Sequence, residues 1–334
     1  MKHRVLVLMA ACVAGFAMHS AAADEAFTLT VENDVVTGSD SNYTNGIGLT
    51  WVSRDLKTYD EEDFSRRWGG FWSFLPYLSD EGATTYASWS LVQEMHTPDD
   101  IRNANPPTND QPYAGLLYVD SVLYARKERR AHAWQLKLGV VGPSSQADNM
   151  QKRAHKIMGA DEPKGWSTQL QDEPIVNVGF MTAYLLAEGR VGKSAAWRVI
   201  PVGSAALGNY FTGVGVGLYG EVGWNLVEAL GGTALRSGFN AASTVGAGPV
   251  RGWSVSFSGG LGGYGVAHYL PLDGTVFRNS RSVDSKPFVG MATLGMTVRN
   301  RGFVLGLAAT YFSDTFKHQR ERPEFGTLSL SWYY

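Results

Sequence analysis

The stretch Thr327–Tyr334 reads TLSLSWYY. Leu328, Leu330, Trp332 and Tyr334 alternate with Thr327, Ser329, Ser331 and Tyr333. Successive side chains of a strand point to opposite faces, so this strand is apolar on one side and mostly small and polar on the other. Such a strand suits a wall between hydrocarbon and water, with its last aromatic at the interface. The stretch 130–142 repeats the pattern, with Trp134, Leu136, Leu138 and Val140 outward against Gln135, Lys137 and Gly139.

The same two-residue period recurs along the chain. Strands are expected at 26–36, 43–54, 84–95, 112–127, 130–142, 174–189, 195–208, 212–229, 252–268, 286–300, 302–316 and 323–334. Each is at least the roughly 9–11 residues that a tilted strand needs to cross a membrane. The chain carries 39 Gly, 15 Phe, 10 Trp and 15 Tyr. It has no apolar run long enough for a membrane-spanning helix after its first residues. The expected fold class is all-β: a twelve-stranded antiparallel transmembrane β-barrel. A secreted β-sandwich is the competing reading, but the chain is long for one and a sandwich gives no reason for aromatics at strand ends. The runs Gly213-Val-Gly-Val-Gly217 and Gly259-Gly-Leu-Gly-Gly263 fall inside strands, where glycine marks curvature or a close neighbour. No helix follows them, so they are not dinucleotide-binding loops.

Residues 1–23 read as an export signal. Lys2 and Arg4 precede the apolar run Val5–Ala17, and Ala21-Ala22-Ala23 offers a cleavage site, so a barrel of residues 24–334 is expected. Cys12, the one cysteine, lies in that leader, which leaves no thiol or disulfide chemistry beyond it. Lys and Arg number 29 against 31 acidic residues, and 27 against 31 without Lys2 and Arg4. That balance argues against a nucleic-acid partner. The expected location is the bacterial outer membrane, as a monomer.

Ala147–Met158 breaks the strand pattern. It has no Pro or Gly, and Gly159 follows as a helix stop. Asp148, Gln151 and His155 share one face of this helix. With the N-terminus in the periplasm, the helix falls in an extracellular connection. Two long connections, 55–83 and 230–251, fall on the periplasmic side, where barrel turns are usually short. In the first two strands alternation sends Phe27, Leu29, Val31, Ile47, Leu49 and Trp51 outward. It sends Thr28, Thr30, Glu32, Asp34 and Thr44 inward and leaves Asn33 at the outer rim. Asp34, Asn33, Asp161 and Glu162 are hard oxygen donors of the kind calcium takes, though no compact calcium loop is present. No His and Cys cluster suggests zinc. Ser144 and Ser145 precede the helix, but neither lies in a nucleophile elbow.

At Glu32-Asn-Asp34, Tyr43-Thr-Asn-Gly46, Gln93-Glu-Met-His-Thr-Pro98, Asp110-Gln-Pro-Tyr-Ala-Gly115 and Gln151–Asp161, continued by Gly165-Trp166 and Gln169-Leu170, the chain resembles a known family. These are the outer-membrane lipid A 3′-O-deacylases of the LpxR type, and the match covers the whole mature chain in order. The resemblance implies a twelve-stranded barrel that hydrolyses the 3′-linked acyloxyacyl ester of lipid A in lipopolysaccharide. It implies that Asn33, Asp34, Thr44, Gln151 and His155 are active-site residues, with His155 the base. It implies calcium as the cofactor, held by Asp34 with Asp161 or Glu162. Asp161 stands where characterised members have Glu, which leaves Glu162 as the alternative carboxylate. Arg102 matches a basic residue that meets lipid A phosphate. Histidine deprotonating a water beside a cation is sound ester chemistry. The alternatives are a catalytically silent barrel that binds lipid or acts as a pore, and a barrel phospholipase.

Overall fold

The structure, a computed structural model, describes residues 25–33, 42–53, 64–192, 194–227 and 250–334; at 42–44, 64–66 and 158 only the backbone is described. The strands are β1 Ala26–Asn33, β2 Asn42–Val52, β3 Thr84–Thr97, β4 Ala114–Lys127, β5 Arg130–Val141, β6 Glu173–Tyr184 and β7 Ala187–Val191. They continue with β8 Ala195–Gly208, β9 Phe211–Trp224, β10 Val250–Tyr269, β11 Phe288–Arg301, β12 Phe303–Phe312 and β13 Glu324–Tyr333. Every neighbour is antiparallel, β1 pairs with β13, and β6 and β7 both pair with β8. β6 and β7 are therefore two lengths of one wall strand, interrupted at Leu185-Leu186. The result is a closed twelve-stranded barrel, with sheet edges removed by closure. The leader and most of the 230–251 connection lie outside the described residues.

Alternation governs the wall as its sequence implies. Leu138, Val214, Val216, Leu218 and Leu261 are exposed on the outer face, while Gln135 and Lys137 are buried inside. Thr327, Ser329 and Ser331 line the lumen, where Thr28 Oγ1 donates to Ser331 Oγ at 2.8 Å across the closing seam. Toward the end that carries the helix, the lumen fills. Tyr118, Tyr210, Phe211, Tyr264, Tyr269, Leu270 and Phe325 form its apolar core. A Cβ at Gly215 would lie 2.9 Å from the Tyr264 ring, so the glycine run makes room for a lumen-filling aromatic. Tyr118 donates its hydroxyl to Glu94, and Lys137 Nζ sits 3.5 Å from the Tyr118 ring centroid and 4.2 Å from that of Tyr210. Buried charge is thus held by pairing and by aromatic faces. A packed lumen of this kind is not an open channel.

Nine of the ten tryptophans lie at or near one rim, hereafter the lower rim, in the girdle expected at a membrane–water interface. Trp51 and Trp89 stack there at 5.2 Å. The long β2–β3 connection also lies there and is not a bare loop. It holds α1, Phe64–Phe71, and its Trp68, Trp72, Leu75 and Leu78 pack on the outward-facing Ala87, Leu123 and Ala125 of β3 and β4. Trp68 Nε1 donates to Ser121 Oγ at 2.8 Å and Trp134 Nε1 to the Pro76 carbonyl at 3.0 Å. The tenth tryptophan, Trp166, stands at the upper rim, beside the sequence-predicted helix.

Candidate functional site

That helix, α2, spans Ala147–Met158 and ends where Gly159 adopts the left-handed conformation at φ 69°. Twelve residues make a marginal helix alone, so its place depends on what it buries. It lies on the outer face of the wall, not in the lumen. Met95, Tyr113, Ala147 and Trp166 form a buried cluster between them. The seat is Gly115: a Cβ there would lie 2.5 Å from Ser145 Oγ and closer still to Ala147 Cβ. Gln93 Nε2 donates to the Ser145 carbonyl at 2.6 Å and fastens the approach to the helix. Tyr113 donates its hydroxyl to the Ile101 carbonyl at 3.1 Å, and burial pushes its pKa up to about 12, so it stays a neutral donor. Gly165 is needed beside it, because a Cβ there would enter the Tyr113 ring.

Gln151 and His155, one turn apart, are both buried against this wall at 2% and 7% exposure. Trp166 Nε1 donates to Gln151 Oε1 at 2.7 Å, which fixes the amide, while Gln151 Nε2 is buried with no partner among the described residues. His155 Nδ1 meets the Asp161 carbonyl at 2.5 Å. A carbonyl can only accept, so Nδ1 carries the proton and the neutral ring presents Nε2 as an acceptor. That is the tautomer a general base needs. The two serines are spent elsewhere: Ser144 Oγ donates to Asp172 Oδ2 at 2.8 Å and Ser145 Oγ to the Gly142 carbonyl at 2.6 Å. Neither is placed as a nucleophile on His155.

The other sequence-predicted residues fall as follows. Register carries one outward row across four strands, Asn33 to Asn45 to Met95 to Gly115. Asn33 thus keeps the parity of Phe27, Leu29 and Val31 and stands in the row on which α2 is seated. Asp34 lies outside the described residues, as does the side chain of Thr44. The backbone at Thr44 has a register shift between Tyr43 and Asn45, a bulge across which a two-residue count does not carry. Asp161 turns its carbonyl to His155; its carboxylate is 70% exposed, 3.9 Å from Arg102 Nη1. Arg102, on the β3–β4 loop, therefore stands next to the His155 loop, held also by Asp100 at 3.2 Å. Glu162 is exposed. No group of three His, Cys, Asp or Glu that could hold a metal occurs among the described residues. Of the four hard-oxygen donors expected from sequence, Asn33, Asp161 and Glu162 are among the described residues and Asp34 is not. The roles of Gly115, Gly165 and Trp166 were not read from sequence, although all three lie in the quoted motifs.

A search by sequence among curated proteins found no match. Among solved structures the fold is similar to LpxR from Salmonella typhimurium, with a TM-score of 0.73 and 16% identity over 92% of this chain and 100% of that one. It is more distantly similar to the β domain of the Bordetella autotransporter BrkA, with a TM-score of 0.44 and 10% identity over 93% and 98%. The family model described as outer membrane protein LpxR matches residues 5–334. The barrel is an outer-membrane one, and the chain belongs to the LpxR family.

Proposed function

We propose that this barrel is an outer-membrane lipid A deacylase that hydrolyses the 3′-linked acyloxyacyl ester, with His155 as the base that activates water. One observation carries the reading: a buried histidine on the membrane-facing wall whose Nδ1 is committed to a carbonyl, leaving Nε2 to take a proton. Gln151, oriented by Trp166, has a buried amide donor to offer to substrate or to a developing oxyanion. Asn33 stands in the outward row toward which the helix faces. Arg102 and Lys164 at the upper rim suit the phosphates of lipid A.

Calcium fits the chemistry of the donors, with Asp34 and either Asp161 or Glu162 as the residues that would hold it. When bound, it supplies positive charge where the ester oxygen becomes an oxyanion. Its removal is a direct test: chelation abolishes hydrolysis, calcium restores it, and full activity in excess chelator removes the metal from the reaction.

The filled lumen weighs against a pore. A catalytically silent lipid-binding barrel draws on one observation, the exposure of the Asp161 carboxylate. Mass spectrometry of lipid A from cells with and without the protein separates the readings. Loss of a 3′-linked acyloxyacyl group supports the deacylase. Unchanged lipid A with released lysophospholipid points to a phospholipase, and no change in either to a silent barrel.

A further inference from the structure

The lower rim has a cleft of about 360 Å³ on the outer wall, between the end of the α1 connection and the ends of β4, β5 and β6. We infer that it holds the headgroup of a zwitterionic glycerophospholipid, in the leaflet opposite the proposed deacylation site. The first observation is a cationic pair. Lys127 and Arg130 are register partners on the outward face, and both line the cleft. Like charges directly opposite each other are destabilising in a sheet, and neither has an ionic partner among the described residues. An anionic group between them relieves that repulsion.

Arg129, in the same turn, is not free for a ligand. Its Nε donates to the Leu185 carbonyl at 2.8 Å and its Nη2 to the Leu186 carbonyl at 3.1 Å, where β6 breaks from β7. It builds the cleft, and Lys127 and Arg130 serve it. Asp80 and Glu128 line the same space. Two cations and two carboxylates in one cleft match a phosphate joined to an ammonium better than a simple anion.

The surroundings identify the phosphate as a lipid's. Tyr77 stacks on His132 at 4.0 Å, and the two rings line the cleft. Phe71 and Phe74, on the connection that closes it, are 67% and 73% exposed beside the lipid-facing wall. Apolar rings so exposed at this rim suit contact with acyl chains. The tryptophan girdle of this rim marks the interface, which is the depth of phospholipid headgroups.

The test is native mass spectrometry of the whole protein in mild detergent, with phosphatidylethanolamine, phosphatidylglycerol or inorganic phosphate added. Phosphatidylethanolamine is expected to bind best, and the Lys127→Gln/Arg130→Gln double variant to weaken it by roughly tenfold or more. Asp80→Asn should weaken phosphatidylethanolamine but not phosphatidylglycerol. Arg278→Gln, exposed at the opposite rim and outside the proposed site, serves as the control and should change neither. Heat-modifiable gel migration confirms that each variant is folded. Equal binding by wild type and double variant overturns the site. Phosphatidylglycerol binding as tightly overturns the zwitterionic assignment, and full competition by inorganic phosphate overturns the lipid one.

Discussion

Gly115→Ala tests whether the seat of α2 sets the activity. The added methyl would lie 2.5 Å from Ser145 Oγ and closer to Ala147 Cβ. Carbon atoms in contact sit at about 3.5–4.0 Å, so α2 must lift from the wall by about 1 Å. Overpacking of this kind costs about 1–3 kcal/mol, too little to unfold a closed barrel. It is enough to displace Gln151 and His155, which reach the wall only through this helix. A misplacement of about 1 Å can cost roughly 10²-fold in rate. Purified variant and wild type, compared on lipid A in detergent with ester release followed by mass spectrometry, should differ by about that factor. Heat-modifiable migration should be unchanged. A Gly115→Ala protein with wild-type turnover would show that the helix is not positioned through Gly115, and the outer-wall site would lose its basis.

Three further outcomes are expected. His155→Ala should lower hydrolysis by roughly 10²–10⁴-fold and abolish the acid limb of the pH–rate profile, and His155→Gln should not rescue it because an amide cannot take the proton; near-normal activity would place the base elsewhere. Trp166→Phe leaves the buried Gln151 amide without its donor, a loss of about 1–3 kcal/mol, and should lower kcat more than it raises KM; an effect on KM alone would make Trp166 a binding residue. Burial, and then the charge of Asp110, push the Asp99 carboxyl up to about 6, so its contribution to stability is full below about 3.8 and lost as pH rises through about 6; hydrogen exchange of the 98–113 loop, corrected for intrinsic rates, should show more protection at pH 4 than at pH 7.5, with Asp99→Asn removing the difference, and equal protection at both would sink the assignment.

Most of the fold was legible because a barrel wall imposes one rule at every position. Water on one side and hydrocarbon on the other force a period of two, and each expected strand has its counterpart within a few residues. Other features were illegible for equally physical reasons. The break at Leu185-Leu186 hides in a run of apolar residues that reads as continuous strand. Helix α1 contains Gly69-Gly70, which lower helix propensity, and only the burial of Trp68 and Trp72 on the outer wall overrides them. The inward polar residues read as a wet lumen, whereas Glu94 is buried against the Tyr118 hydroxyl and the lumen there is filled.

At the site, the period of 3.6 gave α2 and the shared face of Gln151 and His155. What periodicity could not supply was the surface this face meets. Parity put Asp34 and Thr44 on the inner side, a placement that falls outside the described side chains; what a count along the chain cannot see is a helix folded back over the outside of the wall. The difference matters to the chemistry proposed. A lipid ester drawn into a lumen would bring its acyl chain out of hydrocarbon, at about 0.8 kcal/mol for each methylene left in water. A dozen methylenes would then cost on the order of 10 kcal/mol, comparable to the whole acceleration of a modest enzyme. A base on the outer wall would avoid that cost, because the chain would stay in the leaflet while the ester moved sideways under α2. The glycine that lets the helix lie flat and the tryptophan that orients Gln151 are the residues this arrangement demands. In the sequence, both stood only as members of matching motifs.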